Sequence, residues 1–71
     1  MILYAFFKHR AGRQTPEFEI EQFYGLASAE AHARVLMKRA GYTAVDIFDG
    51  SEAVRLTAES EQTIHLDYTS N

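Results

Sequence analysis

The chain has no cysteine and no tryptophan, and it has one proline and four glycines among its 71 residues. Without cysteine, neither a disulfide nor a thiolate metal site can hold such a small domain together. Its stability must come from a thin packed core and is expected to be on the order of a few kcal/mol. The absence of cysteine is also typical of a reducing cytoplasm, which is the location that we expect.

The chain also lacks the surplus of basic residues that is typical of nucleic-acid-binding proteins. It has seven Lys and Arg residues against ten Asp and Glu residues, for a formal net charge of −3 at pH 7. Proteins that bind DNA or RNA usually concentrate positive charge on one face. We therefore expect a protein partner, and the composition disfavours direct binding of nucleic acid.

Long apolar runs are missing as well. No run approaches the roughly 20 residues that a membrane-spanning helix needs. The apolar segment Met1–Phe7 is short, has no basic segment before it and is followed by Lys8–Arg10, so it does not resemble a signal peptide. With 46% hydrophobic residues, the chain is expected to form one complete cytoplasmic domain over residues 1–71, without a membrane segment.

The segment Leu26–Gly41 predicts the only long helix, and the rest of the chain is organised around it. Its apolar residues recur at steps of three and four and so share one face. Ser28 is a suitable N-cap, because its hydroxyl can accept a hydrogen bond from a free backbone N–H group. Gly41 follows the last periodic residue, where a left-handed residue commonly ends a helix.

Five further segments predict β-strands, and together with the helix they give the order β-β-α-β-β-β. These segments are Ile2–Lys8, Glu17–Tyr24, Tyr42–Phe48, Ala53–Thr57 and Thr63–Tyr68. Asp49-Gly50 predicts a two-residue hairpin turn. A short helix over residues 51–60 is the local alternative. Pairing in the order 2-1-3-4-5 gives a mostly antiparallel sheet with one helix on one face, an α+β two-layer sandwich.

One helix can cover only one face of this sheet, so the other face stays exposed. The first strand is apolar on both of its alternating rows, and the sequence leaves open which row the helix covers. If the row of Leu3 and Phe7 meets the helix, the open face carries aromatic residues among carboxylates, which is typical of an interaction surface. The partner-binding residues would then be Tyr4, Phe6, Glu17, Glu19, Glu21, Asp46, Phe48 and Asp67. The alternatives are a homodimer through this face and aromatic residues that simply pack together.

The chain contains no recognisable catalytic or cofactor motif. Glycine-rich phosphate loops and the G-x-S-x-G, H-E-x-x-H and C-x-x-C patterns are all missing. His65 and Asp67 share a strand row but have no identifiable third ligand, so we predict neither a metal site nor a cofactor. His32 lies at the border of the helical apolar face and is expected to be partly buried. We therefore expect a protein that is not an enzyme.

A second group of residues predicts an alternative function. The loop and helix cations would contact phosphate or an acidic protein, or would simply act as solubilising charges. These cations are Arg10, Arg13, Arg34, Lys38 and Arg39. As a binding site they would make the chain a small nucleic-acid-binding regulator. Small antitoxins with an N-terminal hairpin and helix are partly similar, although this chain lacks the DNA-binding segment that many of them append.

As a whole architecture, the chain resembles small proteins of phages and mobile elements, in particular anti-CRISPR inhibitors. The resemblance covers the N-terminal hairpin, the helix SAEAHARVLMKRAG and the hairpin around VDIFDG. It implies a non-enzymatic inhibitor or adaptor in the host cytoplasm that binds a nucleic-acid-processing protein or nucleoprotein complex and blocks its access to DNA. The carboxylates would complement a basic channel on that partner, with Tyr4 and Phe6 as anchors. A structural homodimer is the remaining alternative.

Overall fold

A computed structural model describes residues 1–57 and the backbone of residues 63–66. The elements are β1 (Ile2–His9), β2 (Glu17–Phe23), α1 (Leu26–Ala40), β3 (Ala44–Phe48), β4 (Ala53–Thr57) and β5 (Thr63–Leu66). The order of elements is the predicted one, and the α+β class is confirmed. In the described part of the chain, no helix is long and apolar enough to cross a membrane.

The five strands form one sheet in the order β2-β1-β3-β4-β5, and neighbouring strands are antiparallel. This order agrees with the prediction. β1 lies inside the sheet because it is apolar on both rows, whereas the glutamate-rich β2 lies at an edge. β2 pairs with β1 without interruption from Glu17 to Phe23. Phe23 shares the row of the glutamates and packs against the core.

The helix covers the row of β1 that carries Tyr4 and Phe6, so the assumed placement of the two sheet faces was wrong. Tyr4 and Phe6 are only 3% and 0% exposed. The reason is the register: Phe6 lies opposite Ile47, whereas Phe7 lies opposite the charged Asp46. The row of Phe6 therefore continues the apolar surface beneath the helix. The buried core consists of Tyr4, Phe6, Ala29, Ala33, Met37, Tyr42, Val45, Ile47, Val54 and Leu56.

Both ends of the helix are capped by glycine. Gly25 is the N-cap and makes no side-chain cap, and its carbonyl accepts the first helical hydrogen bond from the N–H group of Ala29 at 3.2 Å. Ser28 already lies inside the first turn, so its predicted capping role was wrong. Gly41 has a φ of 74° and donates its N–H to the carbonyl of Met37, which confirms the predicted left-handed end.

The turn between β3 and β4 lies one residue later than predicted. Its closing hydrogen bond runs from the N–H group of Asp49 to the carbonyl of Glu52, so Gly50 and Ser51 are the central residues. Gly50 has a φ of 100°, which few other residues tolerate. The Asp49 carboxylate accepts the backbone N–H groups of Ser51 and Glu52. The alternative prediction, a short helix over residues 51–60, is wrong for residues 53–57, because these form β4. Residues 58–60 lie outside the described part of the chain.

Candidate functional site

The sheet face opposite the helix carries a group of exposed apolar side chains on β1, β2 and β3. Leu3, Phe18 and Ile20 are 55%, 57% and 51% exposed. The rings of Phe7 and Phe18 pack against each other with their centroids 5.2 Å apart. We call this group the apolar patch: Leu3, Ala5, Phe7, Phe18, Ile20 and Phe48. Contiguous exposed apolar groups of this kind mark interaction sites far more often than scattered ones do.

An open cleft of about 240 Å³ lies within the apolar patch. It forms where β3 ends: Phe48 is the last residue of β3 and lies opposite Ala5, so Leu3 has no partner on that side. The lining residues are Leu3, Tyr4, Ala5, Ile20, Phe48, Asp49 and Gly50. Sites for small molecules usually measure about 300–1,000 Å³. The smaller cleft fits one bulky side chain of a partner better than it fits a cofactor.

Asp49 is one of the residues that line this cleft. Its partners are neutral donors, the backbone N–H groups of Ser51 and Glu52 and the hydroxyl of Ser51. Hydrogen bonds from these backbone groups hold the pKa of Asp49 below its ordinary value. The carboxylate therefore keeps its negative charge beside the cleft at neutral pH.

The glutamates of β2 do not lie on the open face, where the acidic interaction surface was expected. Glu17, Glu19 and Glu21 share the row that faces the helix layer, because Glu19 lies opposite the buried Phe6. Glu17 accepts hydrogen bonds from Tyr42 at 2.6 Å and Arg10 at 2.7 Å. These two hydrogen bonds hold the pKa of Glu17 below its ordinary value. The carboxylate is thus already engaged within the chain.

Glu19 is engaged in the same way. Its carboxylate accepts a hydrogen bond from Lys8 at 2.8 Å and lies 2.8 Å from Nε2 of His32. Burial alone would raise the pKa of Glu19, but the hydrogen bonds from Lys8 and His32 outweigh it and lower the pKa. The ring of His32 packs against Phe6 and Phe23, so the predicted partly buried position of this histidine is confirmed.

Asp46 does lie on the open face, but it is almost fully buried by its own partners. Arg55 donates two hydrogen bonds to the carboxylate, at 2.6 and 2.9 Å, and Nε2 of His9 lies 3.1 Å away. Burial would raise the pKa of Asp46, yet the contacts with Arg55 and His9 outweigh it and lower the pKa. Of the other residues predicted to bind a partner, Phe48 lies in the apolar patch and Asp67 lies outside the described residues.

The predicted anion-binding cations do not all remain available for a ligand. Arg10 donates to Glu17 and to the carbonyl of Ala40, and its guanidinium lies 4.3 Å from the centre of the Tyr42 ring. Arg34 lies 3.8 Å from Glu30, one helical turn away. The exposed cations of the group are Arg13, Lys38 and Arg39.

Three potential metal ligands come together where β2 meets the helix. One side-chain ligand atom each from Glu19, Glu21 and His32 lies within 4.8 Å of the others. The sequence predicts no metal site, and its pattern brings only His65 and Asp67 together. Nothing in the spacing of Glu19, Glu21 and His32 places the histidine above β2, so a local pattern does not indicate this group.

Comparison of the chain with models of protein families, with curated proteins and with solved structures found no match. The function is therefore argued from the geometry of the chain.

Proposed function

We propose that the chain is a non-enzymatic protein-binding domain whose partner surface is the apolar patch together with the adjacent free edge of β2. The observation that supports this proposal is the exposure of Leu3, Phe18 and Ile20 side by side on the uncovered sheet face. Burying one such side chain gains about 1.5–3 kcal/mol. Several of them together are enough to anchor a partner.

The partner segment is an extended chain with alternating apolar residues. Within the described sheet, β2 pairs only with β1, so its outer edge is open to another strand. A strand added there places every second side chain on the open face, beside Phe18 and Ile20. Charged side chains that protrude from an edge strand would oppose such pairing. Here Glu17 and Glu19 are held by Arg10 and Lys8 instead.

The cleft accepts one bulky apolar side chain of the partner segment. A Lys or Arg of the partner would lie next to that side chain. The apolar lining by Leu3, Ile20 and Phe48 would receive the side chain, and the Asp49 carboxylate would attract the neighbouring Lys or Arg. The net charge of −3 favours the same partner. An occluding inhibitor of a nucleic-acid-processing complex, as the resemblance implies, would use this surface instead of the acidic one.

A pull-down from a bacterial lysate tests this proposal by comparing a variant of the apolar patch with a similar variant on the opposite side of the molecule. The baits are the wild-type chain, Ile20→Ser on the apolar patch, and Val35→Ser on the helix, where Val35 is 48% exposed. We expect the wild type and Val35→Ser to capture the same protein in stoichiometric amounts and Ile20→Ser to lose it. Equal capture by all three baits, nucleic acid as the only captured component, or no capture would contradict the proposal.

Sedimentation of the purified chain separates a foreign partner from a second copy. A mass that rises with concentration for the wild type but not for Ile20→Ser would assign the apolar patch to a homodimer and overturn the foreign partner. A monomer over the whole concentration range supports the proposal as stated.

A further inference from the structure

We propose that Glu19, Glu21 and His32 form a binding site for a divalent transition-metal ion such as Zn²⁺. Glu19 and Glu21 are two residues apart on β2, so their side chains lie on the same side of the strand. His32 lies on α1 above them. Its Nε2 atom is 2.8 Å from Oε2 of Glu19 and 3.5 Å from Oε2 of Glu21.

These distances are close enough for the three side chains to reach the ligand spacing around a zinc ion. Zinc binds imidazole nitrogen and carboxylate oxygen at about 2.0–2.2 Å, and in tetrahedral coordination two such ligands lie about 3.3–3.6 Å apart. The separation of 3.5 Å between His32 and Glu21 lies in this range, and the 2.8 Å hydrogen-bond distance between His32 and Glu19 would lengthen on metal binding. All three ligand atoms are within 4.8 Å of one another. Small side-chain adjustments would therefore complete three of the four tetrahedral positions, and water would take the fourth.

The neighbours of the three ligands already fix two of them in place. The ring of His32 packs against Phe6 and Phe23, with centroid distances of 5.2 and 5.0 Å. The other oxygen of Glu19, Oε1, accepts a hydrogen bond from Lys8 at 2.8 Å, which can persist when an ion binds. The ion would replace the contact between Oε2 of Glu19 and Nε2 of His32, and Nε2 would carry no proton when it binds the metal. Such outer contacts orient the ligands of natural metal sites.

The charges at this position also favour a cation. Two carboxylates face one ammonium group, that of Lys8, so a negative charge remains when the imidazole is neutral. The imidazole distinguishes this group from an ordinary surface cluster of carboxylates, because nitrogen ligands favour Zn²⁺ over Mg²⁺ or Ca²⁺. Glu21 is exposed, so the ion has access to the site from solvent.

A bound ion would connect the edge strand β2 to the helix in a chain that has no disulfide. It would stabilise the folded state by mass action, because the unfolded chain does not hold the three ligands together. The site lies on the helix side of the sheet, opposite the apolar patch, so it does not depend on the proposed protein-binding function.

Thermal unfolding of the full chain with ZnCl₂, with MgCl₂ and with EDTA tests the proposal. We expect saturating Zn²⁺ to raise the Tm by at least about 5 °C over EDTA, and Mg²⁺ to have little effect. Glu21→Gln removes one ligand and leaves the contacts of Glu19 with Lys8 and His32, so the rise should disappear. Glu30→Gln, the same substitution outside the site, should keep it. An equal rise in Glu21→Gln, or no rise in the wild type, would overturn the proposal.

Isothermal titration of the apo chain with ZnCl₂ gives a second readout that does not require unfolding. We expect one ion per chain, with an affinity at least about tenfold weaker in Glu21→Gln. NMR of the imidazole resonances identifies the ligand directly, because Zn²⁺ should shift those of His32 and leave those of His9 in place. Shifts of His9 in place of His32 would overturn the assignment.

Discussion

The ring of Phe7 lies 5.2 Å from the ring of Phe18, centroid to centroid, on the sheet face that the helix does not cover. Phe6, the neighbouring residue of β1, points to the other face and is completely buried. β1 thus contributes one apolar row to the core and a second apolar row to an open surface. Within the described residues nothing packs over this second row, and it is the basis of the proposed protein-binding function.

The two apolar rows of β1 should respond differently to truncation. Phe6→Ala removes a fully buried ring and should lower the free energy of unfolding by about 3–5 kcal/mol, enough to unfold much of a marginally stable domain. Leu3→Ala, on the exposed row, should change it by less than about 1 kcal/mol. Urea denaturation followed by circular dichroism measures both. Equal losses for the two variants would mean that the helix covers the other row.

The same glycine-to-alanine substitution should have effects of different size at the two ends of the helix. Gly41 has a φ of 74°, so Gly41→Ala should cost about 1 kcal/mol through backbone strain alone, since a Cβ atom there meets no neighbour. Gly25 has an extended backbone with a φ of −171°. At Gly25→Ala the gain from a less flexible unfolded chain is offset by the poorer preference for Ala at an N-cap, so the change should be smaller than at Gly41. Thermal unfolding compares the two, and a larger loss for Gly25→Ala would contradict the described helix ends.

Asp46 should make the stability of the chain depend on pH in the acid range. Arg55 and His9 lower its pKa in the folded state, although burial acts in the opposite direction. The stabilisation is complete above the ordinary carboxyl pKa of about 4 and is lost as the pH falls through the lower folded-state pKa. Asp46→Asn should cost about 2 kcal/mol at pH 7. Between pH 5 and pH 2, the free energy of unfolding of Asp46→Asn should fall less than that of the wild type.

Urea unfolding at several pH values checks this prediction. If Asp46→Asn and the wild type lose stability in parallel as the pH falls, the pair with Arg55 contributes nothing.

Direct binding of nucleic acid should be absent. Arg10 and Arg34 are paired with carboxylates, and the chain has a net negative charge. We expect no shift of duplex DNA or single-stranded RNA in fluorescence anisotropy at low salt. Binding that weakens steeply with salt and disappears in Lys38→Glu would support the alternative of a nucleic-acid-binding regulator.

Local sequence patterns were enough to predict the helix, the strands and their order in the sheet. The periodic apolar residues that end at Gly41 fixed the helix, and the two apolar rows of β1 placed this strand inside the sheet. Ser28 and the turn position were predicted less well, because Gly25 and Gly50 offered competing positions for a cap and a turn. Local preferences of this kind are close in energy, and packing decides between them.

Which face of the sheet the helix covers could not be predicted from β1 alone, because both rows of this strand are apolar. The positions of two charged residues distinguish the two rows of the sheet. Lys8 shares the row of Phe6, opposite the glutamates, and Asp46 lies opposite Phe7 in the register. The helix covers the row on which Lys8 meets Glu19, and the carboxylate of Asp46 meets Arg55 and His9 on the open face. The proposed metal ligands depend on where His32 lies above β2, which no local pattern specifies.

Amide hydrogen exchange of the chain, with and without the partner captured from lysate, tests the central claim most directly. The account predicts that binding slows exchange in β2 and in the first half of β1, around Ile20 and Leu3, and leaves the exposed helix face around Val35 unchanged. Slower exchange confined to the helix and the loop cations, with β2 unchanged, would contradict the account and move the binding site to the opposite side of the molecule.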